Sequence, residues 1–322
     1  MSEDSSTRSI CTDLATVTER AALAAARHMG GGEPLAARQA GAASARTVLD
    51  ELRIQGRIVV GEAEGSLVAE GTDIGTGGTV YELAVDPVQG IDVVARGGSG
   101  AISIVAAAAP QSMMPVPPIY MKKIAVGPVA AGRVDLSAPI GDTINAVAEA
   151  YGRRPRDLTA LVLDRPRHED LIEDLRAAGA RIKLIPDGDI TAAISVAIRG
   201  TNDHIAIGIG GAREAVITAA ALRCLGGEVQ AQFWPRSRTD IRQIEEYGFD
   251  DVQRVFSTED LVRGDACVVA TGISNGDLLR GVRYVEEGGR THSIVMCSAC
   301  NHVRFVDTSH RFTRDRRPEV RL

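Results

Sequence analysis

Residues 160–224 read ALVLDRPRHEDLIEDLRAAGARIKLIPDGDITAAISVAIRGTNDHIAIGIGGAREAVITAAALRC. Short runs rich in branched apolar residues, at 160–163, 181–185 and 204–209, alternate with stretches at 168–178, 190–198 and 213–224 whose apolar residues recur at helical spacing. A strand that feeds a helix returning to a neighbouring strand makes a right-handed βαβ unit, so this rhythm predicts an α/β fold with a mostly parallel sheet. Working outward, a helix over 9–29 carries Ile10, Leu14, Val17, Ala21 and Leu23 and is stopped by Gly30-Gly31-Gly32. An alanine-rich helix follows over 35–52, and strand patterns occur at 57–64, 81–85, 101–109 and 123–126. A weaker helix at 240–247 and strands at 266–270, 293–297 and 303–306 complete the chain. The polar stretch 153–157, with Pro155 at its centre, divides it into an N-terminal subdomain of helices and sheet (1–155) and a C-terminal α/β subdomain (156–322).

With 322 residues, 44% of them hydrophobic, the chain has enough apolar material for two packed subdomains. A formal charge of −6 offers no general attraction to nucleic acid or an anionic membrane. Arg311, Arg314, Arg316 and Arg317 are interspersed with Asp315 and Glu319 and read as a solvated end. The polar, acidic start and the lack of an apolar run near the ~20 residues that cross a bilayer lead us to expect a cytoplasmic protein. Its five irregularly spaced cysteines do not form a disulfide framework.

Acidic residues cluster where strand patterns end. Glu62 and Glu64 are spaced i, i+2, which on a strand puts both carboxylates on one face. Such a pair either repels until a cation lies between its members or is simply two solvated acids. Asp86-Pro87-Val88-Gln89-Gly90 adds a carboxylate on a proline-stiffened backbone. In Gly208-Ile-Gly-Gly-Ala-Arg-Glu214 a strand, a glycine-rich turn and a helix start would offer free N–H groups to an anion, with Glu214 aimed at the same place. Pro186-Asp187-Gly188-Asp189 repeats the arrangement, with Asp189 suited to capping a helix. Acids of this kind are what a hard divalent cation shared with a phosphate requires. Cys297-Ser-Ala-Cys300-Asn-His302 is compatible with zinc spacing but lacks a second pair, and its alternation reads as a strand carrying buried thiols.

The ordered series Val17-Thr18-Glu19, Ile58-Val59-Val60-Gly61-Glu62-Ala63-Glu64, Ala84-Val85-Asp86-Pro87, Tyr120-Met121, Val126-Gly127-Pro128, Arg165-Pro166-Arg167-His168, Pro186-Asp187-Gly188-Asp189, Gly208-Ile209-Gly210-Gly211-Ala212 with Glu214, and Ala270-Thr271-Gly272-Ile273 resembles the class II fructose-1,6-bisphosphatases from about residue 15 to about residue 282. The resemblance implies a layered αβαβα sugar-phosphatase fold, Mg²⁺- or Mn²⁺-dependent hydrolysis of a sugar-phosphate monoester, and a homo-oligomer, dimer or tetramer. By position it makes Glu62, Asp86 and Glu214 metal ligands, with Glu64 beside them. Tyr120, Arg165, Arg167, Asp187 and Asp189 fall on the substrate side, along with the backbone of Gly210 and Gly211.

Several positions depart from the family pattern. Arg38 stands where the family's second helix carries a metal-binding aspartate, Gln89 and Ile91 replace the glutamate and threonine of its Asp-Pro-x-Glu-Gly-Thr motif, Ser66 is the residue nearest to a missing acid, and Pro34 takes a lysine's place. Arg38 would supply as a fixed guanidinium part of the charge a metal brings, which makes Arg38, Gln89, Glu62 and Glu64 the candidate catalytic group. Hydrolysis is the default reaction. The alternatives are an enzyme that rearranges a sugar phosphate and a non-catalytic sugar-phosphate-binding regulator.

Overall fold

The computed structural model describes residues 4–286 and 288–312, with side chains from Ile10 onward. Arg314, Asp315, Arg316, Arg317 and Glu319 lie outside the described residues. In chain order the elements are α1 (Asp4–Ala26), α2 (Pro34–Glu51), β1 (Ile54–Val60), β2 (Asp73–Ile74), β3 (Thr79–Gln89), α3 (Ile91–Arg96) and β4 (Ile102–Ala108). The chain then passes through β5 (Tyr120–Val126), α4 (Ile140–Ala150), β6 (Thr159–Leu163), α5 (Glu169–Ala177), β7 (Arg181–Ile185), α6 (Asp189–Ser195), β8 (Ile205–Gly211), α7 (Ala212–Leu225), β9 (Glu228–Phe233), α8 (Arg238–Glu246) and β10 (Val255–Phe256). It closes with α9 (Thr258–Leu261), β11 (Ala266–Gly272), β12 (Arg283–Val285), β13 (Gly288–Cys297) and β14 (His302–Arg311).

Two sheets result. The first runs β12-β13-β11-β4-β3-β1-β2, with β14 also on β13, and the second runs β10-β9-β5-β8-β6-β7. Alternation along the strands explains how both can be covered on two faces. Val105, Val269 and Leu83 point one way, onto Leu14 and Leu49 of α1 and α2. Ala106 and Val268 point the other way, onto a layer containing Val216 and Ala219 of α7 and Ile190 of α6, against which the second sheet packs Val229. The outer face of the second sheet, through Ile124 and Val162, meets Ile144 of α4 and Leu175 of α5. Five layers follow, helix, sheet, helix, sheet, helix, and with so much apolar surface covered each sheet is held in place by burial.

Sequence rhythm and structure part company in the second sheet. Only β6–β7 and β6–β8 are parallel there, whereas β5–β8, β5–β9 and β9–β10 are antiparallel, so the sheet is mixed rather than mostly parallel. The cause is β5, which arrives from the first half of the chain and inserts between β8 and β9. The boundary expected at 155/156 falls within this second-sheet segment, between α4 and β6, and β11 to β14 return to the first sheet. Among the described residues no helix is long and apolar enough to cross a membrane.

Candidate active site

Polar side chains from both sheets converge on a cleft of about 310 Å³. Its wall on the first-sheet side begins with α2. Gly41 has no room for a side chain, since a Cβ there would meet Val88 Cγ2 at 2.4 Å. Helix α2 therefore lies directly on the end of β3, and Arg38, one turn earlier on the same face, overhangs the cleft. Strand β3 does not stop at Asp86-Pro87 but continues to Gln89. Asp86 pairs with Ile104 and Gln89 with Ile102, which leaves an extra residue as a bulge. Proline has no N–H for the ladder, and the bulge absorbs it while turning Asp86 toward the cleft. Gly90, left-handed at φ 87°, then starts α3.

On the opposite side, β8 runs straight through Gly210 and Gly211 into α7 at Ala212, so the glycine-rich turn expected there is strand backbone. The glycines make space for carboxylates. A Cβ on Gly210 would lie 2.0 Å from Asp189 Oδ2, and one on Gly211 would lie 1.9 Å from Glu214 Oε2. Asp189 does not cap α6, because Gly188 occupies the cap in a left-handed conformation. Instead Asp189 Oδ2 accepts from Lys123 Nζ at 2.5 Å, which also reaches Gly211 O at 3.2 Å, and Asp189 Oδ1 accepts from Gln89 Nε2 at 3.4 Å.

The expected residues do not all share one state. Glu62 has left β1 and lies in the following loop, where Arg38 Nε donates to its Oε1 at 3.0 Å and Ser66 Oγ to its Oε2 at 2.5 Å. With its side chain only 11% exposed, Glu62 has one oxygen on a guanidinium and the other on a hydroxyl. Glu64 is exposed and takes no part in the cleft lining; the loop after β1 breaks the strand geometry that would have aligned it with Glu62. Asp86 and Glu214 are different: partly buried, with no ion pair among the described residues. Burial, and then the charges of Glu214 and Glu62, push the Asp86 carboxyl well above the usual range. Glu214 is raised by burial and by Asp189, partly offset by Lys123. Hard oxygen donors that repel one another, with no counter-charge in contact, fit a hard divalent cation.

The far wall is cationic. Arg167 donates from Nε and one Nη to Ile209 O at 3.2 and 2.8 Å, and its guanidinium lies 5.0 Å from the centre of the Tyr120 ring. Arg236 lies 4.7 Å from the same ring centre. Neither Arg165 nor Arg167 forms an ion pair among the described residues, and Asp187, raised by burial, sits beside Arg165. His168, next to these arginines, is a backbone fastener. It is fully buried, Nδ1–H donates to Leu163 O at 2.8 Å, and Ile209 N–H donates to Nε2 at 2.7 Å, a pattern only the neutral ring satisfies.

Sequence reasoning missed Lys123, Arg213 and Arg236. Two adjacent lysines in one strand, of which alternation must turn one inward, were the available signal for Lys123. Arg213 and Arg236 carried none. Arg213 Nε and Gln89 Oε1 both line the cleft or its floor, are buried and find no hydrogen-bond partner.

A five-layer stack that opens a polar cleft lined by carboxylates and arginines where its two sheets meet is a layered sugar-phosphatase-like fold. Within that class the chain belongs to the family described as bacterial fructose-1,6-bisphosphatase, glpX-encoded, whose model matches residues 8–310. Among its relatives is the D-fructose 1,6-bisphosphatase class 2/sedoheptulose 1,7-bisphosphatase of Synechococcus sp. strain JA-3-3Ab, 39% identical over 92% of this chain and 94% of that protein. A protein of the same name from Synechococcus sp. strain JA-2-3B'a(2-13) is 38% identical over 92% and 94%, and one from Crocosphaera subtropica is 36% identical over 92% and 95%.

Proposed function

We propose that this chain is a sugar-bisphosphate phosphatase that hydrolyses one phosphate monoester in the cleft with a divalent cation, Mg²⁺ or Mn²⁺, held by Asp86 and Glu214. The observation that carries the reading is the opposition of two unpaired, partly buried carboxylates to two guanidinium groups with no ion pair. A substrate with a phosphate at each end satisfies both flanks. Arg165 and Arg167 would grip the distal phosphate, Arg167 being pre-oriented by Ile209 O and Tyr120. Asp187, Asp189 and the unpartnered Gln89 Oε1 would accept sugar hydroxyl protons, and Arg213 Nε would donate. A bound cation supplies charge neutralisation at the scissile phosphate. Arg38, fixed by Glu62, adds a second positive group there, and Ser66, whose hydroxyl donates to Glu62, holds that carboxylate in place.

The rearranging enzyme and the binding-only regulator are not favoured, because the matched family and all three relatives carry bisphosphatase names. We also propose a cytoplasmic homo-oligomer. Strand β14 supports assembly, since it pairs only with β13 among the described residues and exposes Val303 and Phe305. Phosphorus NMR with fructose 1,6-bisphosphate and sedoheptulose 1,7-bisphosphate, first with Mg²⁺ or Mn²⁺ and then with chelator, tests the reaction. Cation-dependent growth of inorganic phosphate is expected; unchanged substrate under every condition would refute it.

A further inference from the structure

Four of the five cysteines come together away from the cleft. Cys267 of β11 and Cys297 of β13 are directly opposed across an antiparallel pair, and strand alternation turns both toward α1, which buries Cys11 against them. Cys300 enters from the turn between β13 and β14 and is partly buried in the same cluster. The sulfurs of Cys11, Cys297 and Cys300 all lie within 4.8 Å of one another. Cys300 N–H donates to Cys297 Sγ at 3.3 Å, the kind of backbone bond that steadies a thiolate ligand. Cys267, in register opposite Cys297, is buried in the same cluster.

A single buried thiol is a small apolar side chain and calls for no ligand. Four thiols drawn from a helix, two strands and a hairpin turn into one spot are another matter. The pair missing beside Cys297 and Cys300 in the linear sequence is supplied by α1 and β11. We propose that Cys11, Cys267, Cys297 and Cys300 form a structural thiolate site for a soft tetrahedral cation of the zinc class. Zinc–sulfur bonds of about 2.3 Å put tetrahedral sulfurs roughly 3.8 Å apart, so the sulfurs of Cys11, Cys297 and Cys300 need to contract by no more than about 1 Å, with Cys267 closing in from the facing strand. Each cysteine that ligates gives up its thiol proton to solvent as the metal–sulfur bond forms. The partly exposed turn at Cys300 provides the entry. Bound metal would tie α1 to the β11–β13–β14 end of the first sheet, at a site that shares no residue with the phosphate cleft.

The test uses the full chain, purified with reductant, stripped by chelator and titrated with Co²⁺. Sulfur-to-cobalt charge-transfer absorption with the strong visible bands of tetrahedral Co²⁺ is expected, saturating at one ion per chain and displaced by Zn²⁺. Cys300→Ser, at a partly exposed turn where folding is least endangered, should weaken Co²⁺ binding at least tenfold, and Cys11→Ser should do the same. Cys224→Ser, outside the cluster, should leave the spectrum intact. Absence of the charge-transfer band, bands that survive both Cys300→Ser and Cys11→Ser, or a mass lower by one disulfide in the chain purified without reductant would overturn the proposal. None of these readings depends on phosphate release, so the outcome is separate from that of the phosphatase assignment.

Discussion

The guanidinium of Arg38 lies 3.0 Å from Glu62 Oε1 and is 42% exposed, so it is a screened but fixed positive charge at the rim of an acidic pair. Its field also acts on Asp86, where it opposes the repulsion from Glu62 and Glu214. Arg38→Ala should therefore tighten Mn²⁺ by roughly fivefold, about 1 kcal/mol for removal of one partly solvated like charge. The same change should raise KM for the bisphosphate by weakening the anion's hold. Calorimetric titration of Mn²⁺ checks the first half, and a weaker or unchanged affinity would show that Arg38 acts only by holding Glu62. His168 belongs to the fold and not to the chemistry. Replacing it with Gln breaks the bridge between Leu163 O and Ile209 N and should cost about 2 kcal/mol in urea unfolding. Burial holds the His168 ring below its ordinary 6.5, so its contribution is present above pH 6.5 and is lost as pH falls through the depressed value. The acid limb of stability should be correspondingly shallower in His168→Gln.

At the scale of the element, β8 and its junction with α7 carry the site because they carry no side chains. In Gly210→Ala the new methyl would displace the ends of Asp189 and Lys123, and in Gly211→Ala that of Glu214. These are flexible tips, so the chain should fold with little loss of stability while kcat/KM falls by about 100-fold, the scale expected when a reacting group is misplaced by an ångström. Normal activity with intact melting behaviour would show that the carboxylates have room the strand does not suggest. The same junction marks how far sequence carried the argument. The acids at 62, 86, 187, 189 and 214 and the arginines at 165 and 167 all reach one cleft, since strand ends and the turns beyond them are readable from local pattern. Glu64 was misplaced because strand periodicity was extended four residues past the end of β1. The antiparallel insertion of β5, the bulge at Asp86 and the pairing of Arg38 with Glu62 depend on contacts between distant segments, and no local pattern encodes those. The four-cysteine cluster was hidden for the same reason.

Across the whole molecule, the cleft lies where the two sheets meet, with Asp86 supplied by β3 of the first sheet and Glu214 by α7 of the helical layer between the two. Both carboxyls are raised by burial and by neighbouring acids, so the folded state holds protons that the unfolded chain would release. The associated stability is complete below the ordinary carboxyl values near 4 and is lost as pH rises through the elevated folded ones. Each pKa unit of elevation costs about 1.4 kcal/mol once the group is forced to ionise. A divalent cation binds the ionised pair and reverses that loss, so thermal unfolding should show a gap between Mn²⁺ and chelator that widens as pH rises from 5 to 8. Asp86→Asn removes one of the repelling charges. That variant should be more stable than the parent in chelator at pH 8, and its cation-dependent gap should shrink to near zero. A gap of equal size at every pH, or one that persists in Asp86→Asn, would mean that the cation is held elsewhere and that the two sheets are not joined through these carboxylates.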